Sequence, residues 1–201
     1  MAYIQTIPPE QATGALAELY AAQLQAGGSI DNGMQALSLR PAAYTALENL
    51  LINIRSPMDL RRYELITIAA AGKLRCSYCM LVHGTVLHSK FFTAEQLEAI
   101  VQDFRHADLE PAEVAMMAYA EKIILNAYKV TPEDIDGLRA YGFSDTDILD
   151  IALTAALRSF YSKVLDAVGA EPDEKYLDMQ LELREVLTVG RPFTPAAQSV
   201  S

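Results

Sequence analysis

Apolar residues recur three and four positions apart through nearly every segment of this chain, and period-two alternation is almost absent. Helix-punctuating residues stand between these segments. Gly27-Gly28 ends a stretch over 12–26, and a short helix is expected over 32–39. Pro41 opens one over 41–55 that stops at Ser56-Pro57. Further helices are expected over 59–73 and 76–90, and over 93–104 with Thr93 and Gln96 as a capping box. Residues 110–128 and 131–142 follow, the latter opened by Thr131-Pro132-Glu133-Asp134. Ser144 with Asp147 starts a long helix to Val168, closed by Gly169, and 172–189 reads as the last helix. A chain built this way folds as an all-α, single-domain helical bundle over 1–189, with a loosely held tail over 190–201 carrying Pro192 and Pro195.

Two stretches sharpen that picture. Residues 65–71 are apolar nearly all round, and so are 148–157 apart from Asp150. A helix with no polar face must be covered on every side, which implies a central helix, a subunit interface, or both. A homo-oligomer is therefore expected.

Composition then removes whole classes of function. Sixteen Lys and Arg against 26 Asp and Glu leave a net charge of −10. Nucleic-acid binding and attachment to anionic lipid both need a basic face, so neither is expected. The apolar runs are too short to span a bilayer. The first residues lack the basic and apolar regions of a secretion signal, so a cytoplasmic protein is expected. There is no glycine-rich phosphate loop and no dinucleotide fingerprint, hence no flavin, nicotinamide or other cofactor is expected.

The chemistry lies in Cys76-Ser77-Tyr78-Cys79-Met80-Leu81-Val82-His83, with the only two cysteines of the chain three positions apart. On a helix Cys76, Cys79 and His83 share one stripe, and a three-residue step brings two Cα atoms to about 5 Å, within disulfide range. A thiol at a helix N-terminus sees the positive end of the macrodipole, and a nearby imidazolium lowers its pKa further. Cys79, one turn from His83, is the better-activated thiol; Cys76 is placed to resolve a sulfenic acid into a disulfide. Glu64 falls on the apolar line Leu60, Glu64, Ile68, Ala71, where a carboxylate needs a partner. The short connection around Lys73-Leu74-Arg75 packs its helix antiparallel to the cysteine helix, which offers Glu64 to His83 as a proton relay.

Plainer readings of these residues explain less. Tetrahedral zinc wants four ligands, and two Cys with three scattered His do not supply them, so no metal is expected. Inert packing of two small thiols leaves their spacing unexplained. A thioredoxin-type dithiol needs a βαβ setting. Glu64 has Arg61 as an alternative ion-pair partner. His88 and His106 are assigned no role, and Arg55, Arg61 and Arg62 are read as solubilising a helix turn.

Glu64, Cys76 twelve positions on, then Cys79 and His83 with Gly84 following, resemble the signature of alkylhydroperoxidase D-like proteins of the carboxymuconolactone decarboxylase-like superfamily. The resemblance is most specific over 60–87 and extends more weakly over 38–42, as in peroxidase-related members. It implies an all-α fold assembling as trimer, dimer or hexamer. Cys79 would attack the peroxide, Cys76 would be its disulfide partner, and Glu64 and His83 would relay the proton. The family's histidine before the second cysteine is Tyr78 here, a phenol that cannot serve as a base near neutral pH but can donate a hydrogen bond to peroxide or thiolate. The expected activity is reduction of hydrogen peroxide or an organic hydroperoxide, with electrons arriving from an external thiol or dithiol. The alternatives are a non-redox decarboxylase-like enzyme acting on a small lactone acid, or a redox-sensing helical oligomer.

Overall fold

The computed structural model describes residues 2–193. Ten α-helices follow one another: α1 Gly14–Gln25, α2 Asn32–Ala36, α3 Pro41–Arg55, α4 Leu60–Leu74, α5 Ser77–Lys90, α6 Ala94–Asp103, α7 Pro111–Asn126, α8 Pro132–Ala140, α9 Asp145–Val168 and α10 Leu181–Leu187. No strand occurs among the described residues. Their ends follow from local chemistry. The Asp59 carboxylate accepts from the Arg62 amide at 3.0 Å to open α4. Capping boxes at Thr93/Gln96, Thr131/Asp134 and Ser144/Asp147 open α6, α8 and α9. Gly169 closes α9 in the left-handed conformation with φ 70°, which glycine adopts without steric cost.

The nearly all-apolar helix α4 is the centre of the bundle: every residue from Tyr63 to Ala71 is buried, with α5, α7 and α9 packed around it. The second apolar stretch, on α9, is covered on one side only. Ile148, Ile151 and Ala155 face the core, while Leu149 and Leu153 remain exposed. A smaller core of Leu16, Tyr20, Met34 and Tyr44 ties α1 to α2 and α3. Among the described residues no helix is long and apolar enough to cross a membrane.

The expected last helix over 172–189 is not continuous. A 3₁₀ turn, Glu174–Asp178, is followed by extended backbone at Met179 and Gln180 before α10 begins. Tertiary demands on neighbouring residues break it. Asp173 is held by the Asn32 amide at 2.9 Å, and Tyr176 is buried beside that anchor. Farther on, Leu183 and Leu187 must reach the main core. The Arg184 guanidinium donates to the Leu177 carbonyl across the break at 2.6 Å, satisfying a group a continuous helix would have paired. Gly84 on α5 makes the docking of α10 possible, because a Cβ there would lie 2.6 Å from a Leu187 methyl.

The tail is tied down where it begins. The Gly190 amide donates to Ser77 Oγ at 3.0 Å, Ser77 Oγ donates to the Arg191 carbonyl at 2.8 Å, and Arg191 Nη2 donates to the Asp166 carbonyl at 2.7 Å. A Cβ at Gly190 would collide with the Arg75 carbonyl oxygen, so only glycine permits this approach. The rest of the expected tail, 194–201, lies outside the described residues.

Candidate active site

Helices α4 and α5 meet at Arg75, a non-glycine residue in the left-handed region with φ 56° and ψ 36°. That turn reverses the chain and brings Glu64 to His83. The His83 Nδ1–H donates to Glu64 Oε2 at 2.6 Å, with Glu64 only 2% exposed. This bond orients the ring and leaves Nε2 as the nitrogen free to take a proton. Tyr63 packs its ring edge-on against the imidazole, centroids 6.3 Å apart. The alternative partner for Glu64 is engaged elsewhere: Arg61 forms a two-point ion pair with Glu113 at 2.7 and 3.0 Å.

Cys76 caps the start of α5 with extended backbone, and Cys79 lies in its first turn. Both are free thiols, 0% and 1% exposed. They are unlike in chemistry. The Cys76 thiol donates to the Cys79 sulfur, and that bond together with burial pushes Cys76 well above the ordinary thiol range. The same bond pulls Cys79 well below it, helped by the Arg158 and His83 charges and a hydrogen bond from Ser162, against the opposing effect of burial. The Ser162 hydroxyl donates to Cys79 Sγ at 3.1 Å, and Arg158 Nη1 lies 3.7 Å from it. Cys79 is the sulfur built to be a thiolate.

Arg158 and Ser162 were absent from the sequence reading. Arg158 is 4% exposed, and its Nη2 donates to the Tyr63 hydroxyl at 3.2 Å. Its Nε is buried with no hydrogen-bond partner. The signal that exposed Glu64 also marks Arg158: a charge on the apolar stripe Ile151, Ala155, Arg158, Ser162, Leu165. The apolar stretch singled out within this helix, 148–157, ends one residue before Arg158.

Tyr78 departs from its expected role. Its hydroxyl accepts from the Gly33 amide at 2.8 Å and donates to Asp173 Oδ2 at 3.4 Å. The phenolic proton is therefore committed to a carboxylate instead of a peroxide or thiolate, and Tyr78 fastens α5 to α2 and the chain before α10. His88 Nδ1 lies 3.2 Å from the Phe92 carbonyl, and His106 pairs with Asp103 at the surface, so neither enters the site. Among the described residues no cluster of three His, Cys, Asp or Glu side chains could hold a metal ion.

The bundle has an AhpD-like helical fold. Residues 41–122, which carry Glu64, both cysteines and His83, match the carboxymuconolactone decarboxylase family. That match covers less than half of the chain. It is 31% identical over 91 residues to an alkyl hydroperoxide reductase of Mycobacterium tuberculosis; the match covers 43% of this chain and spans about a quarter (26%) of that relative's length. In fold it is similar to a peroxidase-related protein with an AhpD core from Ralstonia eutropha JMP134, with TM-score 0.79, 21% identity, and 94% and 98% of the two chains covered. It is also similar in fold to the debrominase Bmp8, solved as a variant in complex with 2,3,4-tribromopyrrole, with TM-score 0.72, 19% identity, and 91% and 100% covered.

Proposed function

We propose that this protein is a thiol-dependent peroxidase that reduces hydrogen peroxide or a small organic hydroperoxide through Cys79 and Cys76. One observation carries the reading: a buried sulfur, Cys79, ringed by a guanidinium, a hydroxyl donor and a second thiol, beside an imidazole already bonded to a carboxylate. The Cys79 thiolate attacks the terminal peroxide oxygen; the S–O bond forms and the O–O bond breaks. The departing alkoxide or hydroxide takes the proton that His83, held by Glu64, received from Cys79. Cys76 then displaces hydroxide from the Cys79 sulfenic acid, closing a disulfide and releasing water. An external thiol or dithiol reduces that bond by exchange, which fits a reducing, cytoplasmic setting. The relative named as an alkyl hydroperoxide reductase supports the same chemistry. We further propose a homo-oligomer, supported by the exposed apolar face of α9.

The test is thiol counting before and after peroxide, with mass mapping of the bond formed. Two thiols should disappear per peroxide consumed, into an internal Cys76–Cys79 disulfide. Cys79→Ser should abolish turnover, and Glu64→Gln and His83→Gln should each slow it by roughly 10²-fold or more with the fold intact. A Cys76→Ser variant that cycles normally with a dithiol would refute the mechanism.

A further inference from the structure

Helix α9 passes the dithiol with three polar side chains four residues apart: Arg158, Ser162 and Asp166. That spacing lines them along one face. Arg158 and Ser162 stand on Cys79, as described, whereas Asp166 stands one turn farther on; its carbonyl accepts from Arg191, whose own carbonyl accepts from Ser77 beside Cys76, and this brings the carboxylate near the Cys76 thiol. One helix thus sets a cation and a donor against one sulfur and a carboxylate against the other. The proposed attack on peroxide involves only the cation and the donor.

Cys76 has a single proton, drawn to the Cys79 sulfur, and the Asp166 carboxylate lies near by. While Cys79 is a thiolate, the proton pointing at it stabilises that charge. Once Cys79 is a sulfenic acid the charge is gone, and the same proton blocks the lone pair that must attack. A base that can take this proton is needed, and Asp166 is the carboxylate near Cys76. Burial raises the Asp166 carboxyl above the ordinary carboxylate range, opposed by the nearby Cys76 thiol and Arg191 guanidinium. A carboxylate so raised is a better base. The Arg191 Nη2 donates to the Asp166 carbonyl at 2.7 Å, fixing the turn of α9 that carries the carboxylate.

We propose that Asp166 is the base of the resolving step: it takes the Cys76 proton as Cys76 attacks Cys79, and passes it to the leaving group. The Cys76 Sγ–Cys79 Sγ bond forms, the Cys79 S–O bond breaks, and the hydroxide released leaves as water with the proton from Asp166. The role in turnover rests on the peroxidase reading. The closure chemistry itself does not need peroxide, which separates the two tests.

The experiment uses methyl methanethiosulfonate as probe. Cys79 attacks it, gains a methylthio group and expels methanesulfinate; Cys76 then closes the disulfide and expels methanethiol, and mass spectrometry follows both phases. Asp166→Asn and Asp166→Ala are carried in parallel, so that folding does not rest on one replacement. In either folded variant the first phase should be no slower than in the wild type, while the second slows roughly tenfold to a hundredfold. Asp166→Glu should restore much of the second phase, which a merely structural role for the side chain would not predict. With peroxide in place of the thiosulfonate, the Asn variant should accumulate a Cys79 sulfenic acid trappable by dimedone. A second phase at wild-type rate in a folded Asn or Ala variant overturns the assignment. Absence of sulfenic acid in wild type and variant alike overturns the peroxidase reading, while the thiosulfonate phases still decide Asp166.

Discussion

In the proposed reaction Cys79 acts as a thiolate, because three permanent or oriented donors surround it where water does not reach. Guanidinium does not titrate in the accessible range, so Arg158 acts at every working pH. The sign of the pH dependence follows. A thiol pulled below its ordinary range is ionised above that lowered value, and its reactivity is lost only as pH falls through it. Removing the cation moves that midpoint upward. Arg158→Gln should therefore shift the alkylation profile of Cys79 to higher pH and slow its reaction with peroxide near neutrality by about tenfold; an unchanged profile in the folded variant would show that Ser162 and Cys76 suffice. At this scale legibility in the sequence was uneven. Glu64 announced itself as a carboxylate in an apolar stripe, and its partner lay on the next helix. Tyr78 could not be placed, because its partners Gly33 and Asp173 are 45 and 95 residues away.

Helices α5 and α10 meet through an absence. Gly84 leaves room for Leu187, which is fully buried there. Gly84→Ala should push α10 from its seat and cost about 1–3 kcal/mol, the usual range for overpacking a core. The measurement is the urea midpoint, which should fall with the slope of the transition unchanged. Removing the cap at the start of α9 with Ser144→Ala should cost about 1 kcal/mol by the same measurement, since its hydroxyl accepts from the Asp147 amide at 3.1 Å. The starts of α3, α6, α8 and α9 were legible because a cap or a proline is a local signal. The break before α10 was not: nothing between Pro172 and Val189 forbids a helix, and the interruption comes from anchoring Asp173 and Tyr176 to one part of the bundle and Leu183 and Leu187 to another.

Over the whole molecule, the outward side of α9 is a continuous apolar stripe. Leu149 is 57% and Phe160 55% exposed, with Leu153 and Ala156 between them at helical spacing and the exposed Leu50 on the adjoining α3. A stripe of this kind on a chain of net charge −10 fits burial against another copy. Light scattering should find the wild type assembled and Leu153→Glu with Phe160→Glu shifted to the monomer. Because Arg158, Ser162 and Asp166 occupy the inner side of the same helix, the monomer should retain both phases of thiol chemistry. A wild type that is monomeric at all concentrations would refute the oligomer.

What the sequence determined by itself is what short-range physics controls. The all-α architecture, the helix starts, the stripe of Cys76, Cys79 and His83, and the approach of Glu64 all depend on spacings of three or four residues or on one short turn between neighbouring helices. The tertiary structure decided which groups from α9 surround the Cys79 sulfur, where the phenol of Tyr78 is bound, and where the last helix breaks. Those outcomes rest on Arg158 and Ser162, which reach Cys79 from 79 and 83 residues away, and on Asp173, which anchors Tyr78 from a distant loop. A field at a buried atom sums over everything packed against it, and helical periodicity orders only the neighbours on the same helix.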